Sequence, residues 1–158
     1  MANHAGGIAM VTFIVALAVS MTYYQFVYIP EANAKPVLPD EVINPAEETK
    51  VTISPGSSVE SNPQFFVPKD ARTTIGISNK VIWENQDTVP HTVTTDTGYV
   101  DAYSGTFDSR ERPQEEGGAF VMPSSTFEFL FTKVGEYGYH CEPHPWMQGK
   151  VEVIENFA

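Results

Sequence analysis

Near the end of the chain an alternating segment, Gly135-Glu136-Tyr137-Gly138-Tyr139-His140-Cys141, runs directly into Glu142-Pro143-His144-Pro145-Trp146-Met147. The first half has the period-two pattern of a strand, with Tyr137, Tyr139 and Cys141 on one face. The second half brackets a histidine with two prolines. Each proline fixes φ at about −65° and removes a backbone donor, so the loop has few conformations. Such a chain must end a strand at Cys141 and bring His144 and Met147 back to the same end of the fold. That requirement selects a sheet-based architecture with a rigid loop at one rim.

A thiolate, an imidazole and a thioether on one short loop suit a soft metal. Cys and Met favour copper, and a His₂Cys trigonal set with a weak axial Met describes a type 1 electron-transfer site. The loop supplies Cys141, His144 and Met147, so a second histidine must come from elsewhere. His91, in Val89-Pro90-His91-Thr92-Val93, is the candidate. His4 precedes the apolar N-terminal run, and His140 alternates to the strand face opposite Cys141. One cysteine excludes an intrachain disulfide, and ligation by a metal protects a lone thiol outside the cytoplasm. Zinc fits less well, because it takes Cys, His or carboxylate rather than Met. Copper storage or delivery favours Met-rich sites, yet three of the five methionines (Met1, Met10, Met21) lie in the N-terminal run. No acid, base or nucleophile constellation accompanies the site, so no catalytic residue is assigned and a carrier is favoured over an enzyme. The alternative is a small-molecule redox enzyme whose axial position is open because Met147 stands away from the metal.

The rest of the chain is patterned as short strands. Val51-Thr52-Ile53 ends at the turn cluster Ser54-Pro55-Gly56, and Phe65-Phe66-Val67 stops at Pro68. Thr73 to Ile77 and Lys80 to Trp83 flank Ser78-Asn79 in the manner of a hairpin. His91 to Thr95, Phe120 to Met122, Ser125 to Thr132 and Lys150 to Glu155 follow, with Phe127, Phe129 and Phe131 alternating onto one face. Seven or eight such strands predict an all-β antiparallel sandwich. Thr97 to Gly118, with the charge run Arg110 to Glu116, reads as a long solvated surface excursion with room for a helical turn.

Ahead of the sandwich, Ile8 to Ile29 is uncharged and mostly apolar. About 20 residues span a bilayer, and Tyr23, Tyr24 and Tyr28 sit where aromatic rings prefer the interface. Residues 1–30 are therefore expected to form a membrane anchor. The alternative is a signal sequence cleaved at Ala32-Asn33-Ala34, although no Lys or Arg precedes the apolar run. Either way, the globular part lies on the extracytoplasmic side. Residues 31–50, with Pro36, Pro39, Pro45 and five acids, read as an extended linker, leaving 51–158 as the folded domain.

Twenty acids against nine bases leave a net charge of −11. That balance excludes nucleic acid, whose phosphates require clustered Lys and Arg. It suits a redox protein partner with a basic docking surface.

The segment Gly135 to Met147, followed by Gly149-Lys150-Val151, resembles the copper-binding end of plastocyanin/amicyanin-like cupredoxins. Val81-Ile82-Trp83-Glu84-Asn85-Gln86-Asp87, then Pro90-His91-Thr92-Val93, is similar to the first-histidine region of that family. The resemblance covers roughly Ser61 to Glu155. It implies a Greek-key sandwich with one type 1 copper near one end, bound by His91, Cys141, His144 and Met147. Many members carry Asn directly after the first histidine, tying the two ligand loops together. Thr92 stands there instead, and its shorter hydroxyl predicts a weaker tie.

Overall fold

The computed structural model describes residues 5–111 and 120–156, and the chain divides into two units, 1–36 and 37–158. His4 and residues 112–119, which hold most of the expected charge run, lie outside the described residues. In the first unit, α1 (Ala5–Tyr23), a π-helical stretch (Tyr24–Tyr28) and α2 (Ile29–Ala32) follow one another without a break. From Gly6 to Ala32 this makes 27 helical residues, long and apolar enough to cross a membrane by length and composition. Its large apolar side chains are exposed, and the Tyr24 and Tyr28 rings stack at 5.4 Å.

The second unit is a β-sandwich. One sheet runs β2 (Phe66–Val67), β1 (Glu48–Ile53), β4 (Lys80–Asn85), β8 (Thr126–Leu130). The other runs β3 (Asp70–Thr74), β10 (His144–Ile154), β9 (Gly135–Cys141), β5 (Thr94–Thr95). A small hairpin, β6 (Val100–Asp101) with β7 (Gly105–Thr106), and a 3₁₀ turn (Ser109–Glu111) occupy the excursion after β5. Each sheet combines antiparallel pairs with one parallel pair, β1 with β4 and β10 with β3.

Alternation supplies the core. Phe127, Phe129 and Phe131 bury on one face of β8 and its extension, and Tyr137, Tyr139 and Cys141 on one face of β9. Val51, Ile53, Val81, Trp83, Val151 and Val153 meet them from β1, β4 and β10. Trp83 stands at the centre, with the Phe107 and Tyr139 rings each 5.4 Å away.

Several expectations change. The excursion after β5 is not simply solvated, since β6 and β7 pair within it and Phe107 is fully buried in the core. The strand expected over Phe120 to Met122 is reduced to a single bridge at Val121. Thr73 to Ile77 does not pair with Lys80 to Trp83 as a hairpin. β3 and β4 lie in different sheets, and the intervening turn crosses between them. Its Asn79 is fully buried, accepts from the Gly76 N–H at 2.9 Å, and donates to the Val42 and Phe131 carbonyls, both at 2.9 Å. The strand expected over His91 to Thr95 shrinks to Thr94–Thr95, while His91 forms a single bridge with Val121. Finally, much of the expected linker belongs to the sandwich. α3 (Asp40–Ile43) buries Val42, the Glu47 N–H donates to the Ile77 carbonyl at 2.9 Å, and β1 starts at Glu48. Proline and acid content marks an extended, polar segment; it does not report the one apolar side chain that docks.

These pairings place the chain's entry and the Cys141 loop at opposite ends. Val42 shares a surface cleft with Ile75 and Val134, beside the start of β9 at Gly135. Cys141 lies at the other end of that strand.

Candidate metal centre

β9 ends at Cys141, and β10 starts only three residues later with His144 paired opposite it. Glu142 and Pro143 make the turn. The register then shifts between His144 and Gln148, so Pro145, Trp146 and Met147 form a bulge. A bulge re-aims side chains, and Met147 is carried inward to full burial within the same core cluster as Cys141. Bracketing prolines and a register break thus turn one hairpin end into a fixed set of donors.

His91 arrives from the loop after β4. Asn85 shapes that loop: its amide donates to the Val89 and Val121 carbonyls at 2.9 and 2.8 Å, and its Oδ1 accepts from the Asp87 N–H. His91 is fully buried, with its Nδ1 3.6 Å from Cys141 Sγ and 3.2 Å from His144 Nδ1. Cys141 Sγ to His144 Nδ1 measures 3.4 Å. Donor atoms of all three residues fall within 4.8 Å of one another. His91 and Cys141 are buried, whereas His144 is half-buried.

Polar contacts fix each donor. His91 Nε2 lies 2.9 Å from Asp87 Oδ2. Burial pushes the His91 imidazole below its ordinary value, so it is neutral, gives its Nε2–H to Asp87 and turns the Nδ1 lone pair to the cluster. Burial would raise the Asp87 carboxyl, but the N–H groups of Gly56, Thr88 and Ser58 together with His91 outweigh it and hold it down at about 2. Burial also pushes the Cys141 thiol up, opposed by the Thr92 N–H, which points at the sulfur from 3.3 Å. A cation among these donors is what keeps such a sulfur ionised. The donor set fits copper: a thiol and two imidazole nitrogens without carboxylate among them, with the Met147 thioether buried in the same core cluster as Cys141.

His140 points away from the cluster; its Nδ1 lies 2.5 Å from Asp96 Oδ1 on the surface. Trp146 is half-buried and packs, with its indole N–H donating to the Ser57 carbonyl at 3.1 Å. Thr92 does more than its size suggested: its Oγ1 accepts from the Glu142 N–H at 2.8 Å, joining the His91 loop to the Cys141 loop. Asp87 escaped notice. An acid four residues before a candidate ligand was the available signal, but its three amide partners lie partly in a distant loop.

A two-sheet sandwich with a buried Cys and two His at one rim defines a cupredoxin. Residues 56–154 match the model of the plastocyanin/azurin family of copper-binding proteins. The chain belongs to that family, and its cofactor is copper. Amicyanin of Paracoccus denitrificans is 31% identical over 79 residues, 50% of this chain and 52% of that protein. Amicyanin of Paracoccus versutus is 32% identical over 82 residues, 51% of this chain and 52% of that protein. The chain thus spans about half the length of the curated relatives it matches. Among solved structures, a purple cupredoxin from Nitrosopumilus maritimus aligns with a TM-score of 0.50 and 25% identity, over 67% of this chain and 99% of that one.

Proposed function

We propose that the protein is an electron carrier in which His91, Cys141, His144 and Met147 hold a single type 1 copper. The observation that carries this is the convergence of His91 Nδ1, Cys141 Sγ and His144 Nδ1 within 4.8 Å at a buried rim. Copper there supplies one-electron exchange between Cu(II) and Cu(I). The chain's part is to keep both imidazoles and the sulfur in one geometry through that exchange. The Pro143–Pro145 bracket, the Thr92–Glu142 bond and the Asp87–His91 pair all serve this. Half-buried His144 is the route to the surface, flanked by Pro143 and Pro145, both exposed.

Residues 1–30 act as an anchor, 31–36 connect, and the sandwich works on the extracytoplasmic side. The motivating observation is the 27-residue apolar helix; recovery of the full chain in the aqueous fraction after alkaline washing of membranes would count against it. The partner is a redox protein with a basic surface, in keeping with the net charge of −11. Its electron-transfer rate falls as salt is added; a rate indifferent to salt removes this part.

The test of the centre is the visible and EPR spectrum of the Cu(II)-loaded chain, before and after Met147→Leu. An intense thiolate-to-copper band with narrow hyperfine splitting, altered by Met147→Leu, is expected. A thiolate spectrum indifferent to the substitution means an open axial position and small-molecule chemistry. Absence of a thiolate band overturns the assignment.

A further inference from the structure

We propose that the turn Gly56-Ser57-Ser58 is the positioning element that sets His91 and His144 relative to one another. This rests on both histidines being copper ligands.

Two bonding routes converge on the turn. On one side, the Gly56 and Ser58 N–H groups donate to Asp87 Oδ1 and Oδ2 at 2.9 and 3.2 Å, and Asp87 Oδ2 receives His91 Nε2–H at 2.9 Å. On the other, the carbonyl of Ser57, between them, accepts the Trp146 indole N–H at 3.1 Å. The Trp146 ring lies against His144, with centroids 5.4 Å apart. One three-residue turn thus grips the aspartate behind the first histidine and the indole beside the second.

The turn is built to hold still. Ser57 is fully buried, and its hydroxyl shares its one proton between the Ser54 and Phe65 carbonyls, at 2.5 and 3.0 Å. Gly56 adopts φ +78°, a left-handed conformation that directs its N–H and that of Ser58 to the same carboxylate. Among the described residues no hydrogen bond or ring contact joins either histidine to the turn, so it acts through Asp87 and Trp146. Moving it should displace both imidazoles together.

The experiment uses the full-length, copper-loaded protein and Gly56→Ala, which strains the turn without touching a ligand. Gly98→Ala is the control: Gly98 has φ +67° and nothing within 4 Å of an added Cβ, so it imposes comparable backbone strain away from the site. Gly56→Asn is the rescue, because Asn tolerates the left-handed region. Gly56→Ala is expected to lower copper affinity about 10- to 100-fold in chelator competition, the range for lost outer contacts. It should also move the His91 and His144 ring resonances of the Cu(I) form, with Gly56→Asn restoring both and Gly98→Ala leaving them in place. Trp146→Phe, a milder change, should move the His91 Nε2–H resonance as well as that of His144. The proposal is overturned if Gly56→Ala shifts only His91, or shifts nothing, in a protein that still shows the thiolate band. A wild-type protein lacking that band instead overturns the ligand assignment beneath it.

Discussion

The Thr92 hydroxyl accepts the backbone N–H of Glu142 at 2.8 Å, joining the loop that carries His91 to the loop that carries Cys141 and His144. The Thr92 N–H points at Cys141 Sγ from 3.3 Å. One residue therefore binds both the frame of the ligand loop and its sulfur. Thr92→Val keeps the shape and the backbone donor but removes the hydroxyl. It is expected to cost about 1 kcal/mol of apo-protein stability and to change the copper hyperfine splitting. Thr92→Ser should restore both, as read by denaturant titration and EPR.

Asp87 makes stability depend on acid. Its carboxyl falls from 3.8 to about 2 on folding, so the unfolded chain binds this proton more tightly. The contribution is complete above the unfolded value and is lost as pH falls through the folded value of about 2. At about 1.4 kcal/mol per pH unit it amounts to an effect on the order of 2 kcal/mol. In thermal melts, Asp87→Asn should flatten the stability of the apo-protein between about pH 5 and about pH 2. In the copper form it should raise the reduction potential, since a negative charge behind His91 favours Cu(II). Voltammetry checks the sign.

Gly149 is held to glycine by a ring. A Cβ there would meet Tyr139 Cζ and the hydroxyl oxygen at 2.5 Å, and Tyr139 is fully buried in contact with Trp83. The ring has no room to retreat, so Gly149→Ala should destabilise by about 1–3 kcal/mol through overpacking. Equilibrium unfolding gives the figure; a neutral result would show that the core around Tyr139 is looser than its burial indicates.

Truncation separates linker from domain. Removing residues 1–36 should leave a folded, copper-binding protein. Removing 1–47 takes away buried Val42 and the carbonyl that accepts from Asn79. That second cut should cost on the order of 3 kcal/mol, from an unburied apolar side chain and a buried amide short of an acceptor. Comparing the unfolding midpoints of the two fragments measures the difference.

What could be read from the sequence was local. Alternation in Gly135 to Cys141 and in Phe127 to Phe131 marks strands because side-chain direction repeats every two residues. The Cys141–Met147 loop is legible because proline rigidity and donor spacing are written in consecutive letters. Asp87 was not legible, since its partners Gly56 and Ser58 are brought to it by the fold. Asn79 misled for the same reason: Ser78-Asn79 has the composition of a hairpin turn, but the Asn79 amide bonds outward to Val42 and Phe131. Val42 was hidden among acids and prolines, where one buried side chain leaves no periodic trace.

The docking of Val42 beside Asn79 has a mechanical consequence. It lies at the end of the sandwich where β9 begins, and the seven residues of that strand separate it from Cys141 by about 20 Å. Val42 and the Asn79 turn therefore close the sandwich at the end away from the Cys141 loop. Half-buried His144, at the far rim, is left uncovered by that closure.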